Sequence, residues 1–237
     1  FVVTMLPVGI NVKEVFMNDG VIAAADAGTI MIDSSTIDVE TAQATYLAAK
    51  AAGFDMIDAP VSGGVLGADA GTLTFMCGGD KKTFEKAKPI LQDMGKNIIH
   101  CGKAGLGQAT KICNNMLAGI NALAAAEAMV MGERLGVSPE TLYNVISTST
   151  GRSYIFENSN PIPGVSASSP ANNNFKPGFM AKLMLKDLRL SQAAAQSAST
   201  STPLGAVATA SFQQLIENGY GDYDTSSIIK VIDPKMK

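Results

Sequence analysis

One lysine stands in a stretch of the chain that is otherwise apolar, where an ammonium group costs free energy unless it has a function. Lys111 is followed four residues later by Asn115, and this spacing places both side chains on one face of a helix. Burial lowers the pKa of an ammonium group, which suits a lysine to general acid and base catalysis. We therefore predict a proton-transfer role for Lys111, with a lysine that extends from the helix start to water as the alternative.

A serine followed by two glycines comes shortly after another apolar run and has the composition of an anion cradle. Ser62, Gly63 and Gly64 can bring backbone N–H groups close to a carboxylate or a phosphate. A tight turn in which the glycines supply positive φ angles is the alternative interpretation. The clustering of glycine and serine in this segment favours the binding function.

Polar or turn-forming residues also follow the predicted strands at two other places. The segment 33–36 follows the apolar run 29–32, and Leu6 and Pro7 come at the end of the first run. Ligands of doubly wound sheets bind beyond the carboxyl ends of the strands, so these residues are candidates to contact a cofactor or substrate. Capping of the next helix by a hydroxyl group of the segment is the alternative.

Two further motifs carry weaker signals. Lys186 and Asp187 lie in an apolar-rich helical stretch, and taken alone such a pair indicates a solvated helix face. The segment 105–110 opens a helix after a strand, like a dinucleotide-binding fingerprint that lacks its last glycine. No second strand ending in Asp or Glu follows about 20 residues later, so we do not assign this segment to a cofactor.

The elements that hold these residues alternate between strands and helices in the first part of the chain. Helices are predicted at 39–52, with Asp38 as the cap, and at 81–94, with Gly95 ending the helix. Apolar runs of strand length occupy residues 2–6, 29–32, 54–57, 73–76 and 97–100. This alternation predicts an α/β layer with a largely parallel sheet.

The rest of the chain has helical patterns only. Helices are predicted at residues 107–135, 139–149, 179–201 and 203–218. Ser138 and Pro139 have the types expected at the start of the second helix, and the proline-rich segment 158–178 indicates an ordered loop or a linker. The predicted fold is α/β: a partial Rossmann-like, doubly wound sheet in residues 1–103, and an all-helical C-terminal domain in residues 104–237 joined to it by a long helix.

The composition excludes several classes of function. The 237 residues are 46% hydrophobic and carry 18 Lys and Arg against 21 Asp and Glu, for a net charge of −3. Binding to nucleic-acid phosphates usually requires a basic excess, and a membrane span requires about 20 apolar residues in a row, so neither partner is expected. Three cysteines without a CxxC spacing and a single histidine predict reduced thiols and no metal site.

The chain opens in the middle of a predicted strand and does not begin with methionine. Natural proteins seldom start in this way. We therefore expect that an N-terminal portion is missing from the sequence, together with any targeting peptide.

These motifs, in this order, resemble the β-hydroxyacid dehydrogenase family, and the resemblance covers nearly all of the chain. It is carried by segments 5–7, 33–38, 58–64, 71–76, 105–115 and 186–188. Within the family, segments 111–116, 151–153, 160–165 and 171–173 are similar to members that oxidise 3-hydroxyisobutyrate to methylmalonate semialdehyde in valine catabolism. The fold that the resemblance implies is a Rossmann domain joined by a long helix to a helical C-terminal domain.

The resemblance also implies a cofactor, NAD, and a role for each candidate residue. Lys111 would be the catalytic lysine, Asn115 would orient the substrate, and Ser62, Gly63 and Gly64 would hold the substrate carboxylate. The cofactor would be contacted by Leu6, Pro7, Asn11, Thr36, Lys186 and Asp187. Thr36 would lie on the nicotinamide side, and Lys186 would close over the cofactor with support from Asp187.

Several alternatives stay open. The family's opening G-x-G-x-x-G unit and its acidic ribose ligand are not in this sequence, so the determinant of NAD or NADP preference lies outside it. Related reductases of tartronate, succinic or glyoxylic semialdehyde share the core motifs, and an inactive oligomeric fragment is the alternative from another class. The resemblance implies a homo-oligomer, a dimer or tetramer, in the mitochondrial matrix of a eukaryote or the cytoplasm of a bacterium.

Overall fold

The computed structural model describes residues 1–235 of the chain. The chain divides into two compact units, Phe1–Asn114 and Asn115–Lys237. The first unit contains the sheet and the second is helical. The domain boundary between residues 103 and 104 stays a prediction.

The first unit is built on a six-stranded sheet. Its strands are β1 Val2–Thr4, β2 Ile30–Asp33, β3 Asp55–Asp58, β4 Val61–Ser62, β5 Leu73–Gly78 and β6 Gly95–Gly102. β1, β2 and β3 are parallel neighbours, and β5 pairs in parallel with β6. β5 runs antiparallel to β4 and to β3, which it meets at Asp58 and Gly78. The five predicted strands are confirmed, whereas β4 was not predicted because two residues are too few to show a pattern.

Helices cover both faces of this sheet. They are α1 Gly9–Phe16, α2 Val21–Ala24, α3 Val39–Ala51, α4 Gly64–Asp69 and α5 Lys81–Gln92. Met31 of β2 belongs to the core cluster that contains Val12 and Phe16 of α1. Its neighbour Ile32 belongs to the cluster that contains Leu91 of α5, because successive side chains of a strand point to opposite faces. The doubly wound arrangement is therefore confirmed.

In the first unit, the predicted starts of α3 and α5 are accurate, but the predicted end of α5 is wrong. Asp38 caps α3 as expected, since its carboxylate accepts a hydrogen bond from the Thr41 N–H at 2.7 Å. Gly95 does not cap α5, which ends at Gln92, but begins β6. A Cβ atom on Gly95 would lie 2.5 Å from the Leu73 carbonyl oxygen, so a glycine is needed there for close packing between strands.

A single long helix, α6, runs from Leu106 to Arg134 and spans the boundary between the two units. Its bounds agree with the predicted 107–135 within one residue. The helix ends before Gly136, whose φ of +90° is readily adopted by glycine alone. The continuous backbone places Lys111 and Asn115 one turn apart on the same helix.

The second unit is entirely helical among the residues that the structure describes, as predicted. After α6 its helices are α7 Pro139–Ser147, α8 Tyr154–Asn158, α9 Ala181–Ser197, α10 Pro203–Leu215 and α11 Ile229–Ile232. Its core includes Met129, Leu188 and Phe212, from α6, α9 and α10. α8 ends at Asn158, the first residue of the segment expected to be a loop, and was not predicted. α11 was not predicted either, because a four-residue helix has no periodicity to detect.

None of the helices within residues 1–235 has the length and apolar character required to cross a bilayer.

Candidate active site

The carboxyl ends of β1, β2 and β3 meet at one edge of the sheet, because the three strands are parallel neighbours. The register aligns Thr4 with Asp33 and Asp33 with Asp58, the last residues of these strands. Leu6 follows β1, and its N–H donates a hydrogen bond to the Ser35 hydroxyl at 2.8 Å. The loops that carry the predicted cofactor residues Leu6 and Pro7, on one strand, and Thr36, on the next, are therefore joined directly.

Asp33 holds this edge together from within the protein. It is 1% exposed, and its Oδ1 accepts hydrogen bonds from the Thr4 hydroxyl at 2.9 Å, the Ser35 hydroxyl at 2.6 Å and the Ser35 N–H at 3.2 Å. Burial raises the pKa of the Asp33 carboxyl, and the hydrogen bonds from Ser35 and Thr4 oppose the rise. Asp33 thus connects the end of β1 to the loop after β2, so its role at this edge is structural.

Asp58 has a corresponding role at the end of β3. Its Oδ1 accepts a hydrogen bond from the Gly105 N–H at 2.7 Å, and its Oδ2 accepts one from the Gln108 N–H at 2.9 Å. These donors belong to the start of α6, where backbone N–H groups have no partner within the helix. Burial raises the pKa of the Asp58 carboxyl, and the two backbone hydrogen bonds oppose the rise.

Two glycines let the start of α6 approach the sheet this closely. A Cβ atom on Gly107 would lie 2.3 Å from the Met76 carbonyl oxygen and 2.6 Å from Asp58 Oδ2. A Cβ atom on Gly78 would lie 2.5 Å from Asp58 Oδ1. Gly107, which belongs to the segment 105–110 that resembles a dinucleotide fingerprint, thus has a packing function of its own.

Lys111 lies in the second turn of α6 and is 7% exposed. Ile112 beside it is 3% exposed, so this part of the helix is buried as the sequence predicted. Such burial favours the proton-transfer interpretation of Lys111 over a side chain that extends into water. Its proton-transfer role stays a prediction that rests on this placement.

Ser62 ends β4, and the two glycines after it turn the chain into α4. Gly63 has a φ of +135° and Gly64 has a φ of +60°. A Cβ atom on Gly63 would also lie 3.1 Å from Leu73 Cδ2. The turn that was the alternative interpretation is therefore present, and carboxylate binding by Ser62, Gly63 and Gly64 stays a prediction.

Three predicted site residues come together within the second unit. Asn115 and Asp187 are 4% and 2% exposed, and the Asn115 side-chain amide donates a hydrogen bond to Asp187 Oδ2 at 2.5 Å. The Lys186 ammonium lies 3.2 Å from Asp187 Oδ1. Gly119 contributes to the packing of α6 on α9, since a Cβ atom there would lie 2.9 Å from Leu188 Cδ2. Asp187 therefore holds both Asn115 and Lys186.

Asn11 lies in the first turns of α1, and its amide donates a hydrogen bond to Glu14 of the same helix at 3.2 Å. Its contact with a cofactor stays a prediction.

One residue at this edge was missed by sequence reasoning. Gln108 is 0% exposed and makes hydrogen bonds to the loop after β2. An amide side chain one turn before the lysine, on a helix that is otherwise apolar, was the available signal. Its partners were not accessible from sequence, since Ser35 and Ile37 lie more than 70 positions earlier in the chain.

Two family models together match most of the chain. Residues 1–102 match the NAD-binding domain of 6-phosphogluconate dehydrogenase. Residues 105–232 match the model described as NAD-binding of NADP-dependent 3-hydroxyisobutyrate dehydrogenase. The chain thus carries the NAD-binding dehydrogenase domains that the resemblance implied.

Individual relatives match over nearly the whole chain. The NAD-dependent L-serine dehydrogenase of Pseudomonas aeruginosa is 42% identical over 98% of this chain and 78% of its own length. The mitochondrial 3-hydroxyisobutyrate dehydrogenase of Mus musculus is 40% identical over 98% of this chain and 69% of its own length.

A solved structure of Mycobacterium tuberculosis 3-hydroxyisobutyrate dehydrogenase with L-serine is 44% identical and superimposes with a TM-score of 0.92. It covers 98% of this chain and 78% of its own length. Identities of this size over so much of the chain identify the family, and they agree with the α/β and helical units described above. The chain belongs to the 3-hydroxyisobutyrate dehydrogenase family of NAD-dependent β-hydroxyacid dehydrogenases.

Proposed function

We propose that the chain oxidises 3-hydroxyisobutyrate to methylmalonate semialdehyde, with Lys111 as the general base in oxidation and the general acid in reduction. The observation that most supports this is the burial of Lys111 on a helix whose start is hydrogen-bonded to the sheet edge. The reaction is a step of valine catabolism. It would occur in the mitochondrial matrix of a eukaryote or in the cytoplasm of a bacterium.

The sheet edge fits the nicotinamide half of NAD. Pro7 is exposed and Thr36 is half-buried, and they follow adjacent parallel strands at the position where doubly wound sheets bind nucleotides. Leu6 and Pro7 would line the cofactor, and Thr36 would contact it on the nicotinamide side. Asn11 would complete this surface from α1. The resemblance also assigns contacts with the cofactor to Lys186 and Asp187 of the second unit.

When bound, NAD would supply the hydride acceptor for the carbon that carries the hydroxyl group. Lys111, as a neutral amine, takes the hydroxyl proton, so the carbon–hydrogen and oxygen–hydrogen bonds break as the carbonyl forms. Ser62, Gly63 and Gly64 hold the carboxylate through backbone N–H groups. Asn115 orients the substrate, and its own orientation is fixed by Asp187.

L-Serine is the second candidate substrate. A 42% identical relative is named an L-serine dehydrogenase, and the M. tuberculosis enzyme structure contains L-serine. L-Serine shares the carboxylate and the hydroxymethyl group of 3-hydroxyisobutyrate and has an ammonium group in place of the methyl group. The same residues would therefore act on both molecules. Tartronate, succinic and glyoxylic semialdehydes are the reductase alternatives.

Initial rates with NAD on 3-hydroxyisobutyrate, its methyl ester and L-serine test this proposal. We expect the highest kcat/KM for 3-hydroxyisobutyrate and a much higher KM for its methyl ester, because esterification removes the charge that the Ser62–Gly64 segment binds. A higher kcat/KM for L-serine would assign the chain to that substrate instead. Equal KM values for the acid and the ester would contradict the carboxylate cradle.

We also propose that the chain forms a homo-oligomer, a dimer or a tetramer. Large apolar side chains of the second unit are exposed, including Leu117 at 58%, Met131 at 62% and Leu204 at 65%. Such side chains mark an association surface where they form a contiguous apolar patch, which is what we propose for the second unit. Light scattering measures the mass in solution, and a monomer at micromolar concentration would contradict the proposal.

A further inference from the structure

The side-chain amide of Gln108 bridges the two backbone groups that flank Thr36. Its Nε2 donates a hydrogen bond to the Ser35 carbonyl oxygen at 2.7 Å, and its Oε1 accepts one from the Ile37 N–H at 3.1 Å. One amide thus fixes the backbone on both sides of Thr36. Because Gln108 is 0% exposed, removing its side chain would leave two buried backbone groups without these partners.

The backbone of Gln108 is fixed as firmly as its side chain. Its N–H donates to Asp58 Oδ2 at 2.9 Å, while the Gly105 N–H donates to Asp58 Oδ1 at 2.7 Å. Gln108 is therefore tied to the end of β3 by its main chain and to the loop after β2 by its side chain. Lys111 follows three residues later, on the next turn of the same helix, so a shift of the helix start would move it as well.

We propose that Gln108 is a positioning residue that sets the distance between Lys111 and the backbone at Thr36. This inference rests on the proposed function, which assigns proton transfer to Lys111 and the nicotinamide side of NAD to Thr36. Gln108 acts through these two residues. A displacement of about 1 Å between reacting groups can lower a rate about 100-fold, so the contribution of Gln108 should be seen in kcat more than in substrate binding.

Gln108→Met tests the proposal, because methionine has nearly the same length and volume but cannot make the two hydrogen bonds. We expect kcat to fall about 10-fold to 100-fold. The KM for the hydroxy acid should change by less than about threefold, since the Ser62–Gly64 segment is untouched. Gln43→Met is the matched control. Gln43 is exposed, and its amide donates only a 3.4 Å hydrogen bond to the Ala104 carbonyl oxygen near the same helix start.

A second measurement needs neither substrate nor cofactor. Amide hydrogen exchange, followed by NMR, reports the protection of the Ile37 N–H directly. We expect exchange at Ile37 to be at least about tenfold faster in Gln108→Met and unchanged in Gln43→Met. If the wild-type chain oxidises none of the hydroxy acids, the proposed function fails. The exchange measurement then still shows whether the Gln108 side chain holds the backbone at Ile37.

Two results would overturn the proposal. Unchanged exchange at Ile37 would show that Gln108 does not hold the loop. Faster exchange at Ile37 with kcat within about twofold of wild type would show that the two hydrogen bonds of Gln108 have only a structural role. A higher KM at unchanged kcat would show the same. If Gln108→Met does not fold, Gln108→Asn replaces it, because this shorter amide cannot span both backbone groups, and the same two results decide.

Discussion

The two buried carboxylates at the sheet edge differ from the lysine in what their burial achieves. The carboxylate oxygens of Asp33 and Asp58 accept hydrogen bonds from hydroxyl and backbone N–H groups of the protein. Burial raises the pKa of both carboxyls, while their hydrogen bonds stabilise the ionised form. Lys111, by contrast, is the residue on this edge to which we assign chemistry on a substrate.

Lys111→Ala should abolish turnover while leaving the fold intact. General acid and base groups contribute about 100-fold to 10,000-fold to a rate, so we expect kcat to fall by at least about 100-fold. Circular dichroism and NADH affinity should stay close to wild type. Lys103→Ala, at an exposed position before the same helix, is the control. Retention of more than about a tenth of kcat, a loss below ~1.4 kcal/mol, would contradict the assigned role.

Asp33 makes the stability of the first unit depend on pH. In the folded state, burial raises the pKa of the Asp33 carboxyl above its ordinary value of 3.8. As the pH rises, this carboxyl therefore loses its proton first in the unfolded chain. This contribution to stability is complete below about pH 3.8 and is lost as the pH rises through the folded-state pKa. Asp33→Asn keeps the acceptor oxygen and removes the ionisation.

We therefore expect Asp33→Asn to reduce the fall in unfolding free energy as the pH rises above about 4, measured by urea titration at several pH values. Asp19→Asn removes one negative charge from an exposed position and controls for net charge. The interpretation is wrong if the unfolding free energies of Asp33→Asn and of the wild type change with pH in parallel.

At the scale of elements, the start of α6 is the junction on which the candidate site depends. It contacts the end of β3 through Asp58 and the loop after β2 through Gln108. Only glycine at positions 78 and 107 permits this approach, because a Cβ atom at either place would overlap Asp58. The helix that carries Lys111 is thus positioned by backbone contacts that no side chain at these glycines would allow.

Gly107→Ala should therefore destabilise the protein by about 3 kcal/mol, the upper range for overpacking, because its methyl group would lie 2.3 Å from the Met76 carbonyl oxygen. Gly67→Ala is the matched control. Gly67 is also helical, but its nearest contact would be Leu73 Cδ2 at 3.3 Å, and alanine gains about 1 kcal/mol in a helix. Urea unfolding measures the unfolding free energies of the two variants. Equal values would contradict the close contact between the start of α6 and the sheet.

At the scale of the whole molecule, the chain spans 69–78% of the length of the relatives compared with it. The cofactor residues that we propose belong to one half of a dinucleotide site. We propose that the residues at the ends of β1 and β2 contact the nicotinamide side. The sequence contains no G-x-G-x-x-G segment with an acidic residue after a second strand, the pattern that binds a pyrophosphate and ribose. The affinity of the chain for NADH should therefore come mainly from the nicotinamide half.

We expect reduced nicotinamide mononucleotide to bind this chain within about tenfold of NADH, a difference below ~1.4 kcal/mol. The rest of NADH would then contribute little in this chain. Fluorescence titration of both ligands measures the two affinities. A much tighter NADH complex would show that residues of this chain, or of a second copy, hold the pyrophosphate and adenosine as well.

The sequence alone determined the order of elements and the residue types at the site. The strands are recognisable because buried parallel strands are short apolar runs, and α6 because its pattern continues for eight turns without a break. The burial of Lys111 also followed from its apolar neighbours. Short elements such as β4 and α11 were beyond prediction, since they have too few residues for a periodicity.

Only the tertiary structure decided which distant residues meet. The partners Gln108 and Ser35 are 73 positions apart, and Asn115 and Asp187 are 72 positions apart, so no local pattern connects them. The same is true of Gly95, which reads as a helix cap from its neighbours but is a glycine because Leu73 of another strand lies against it. Local patterns report on backbone preference, whereas these contacts arise from the packing of elements far apart in the chain.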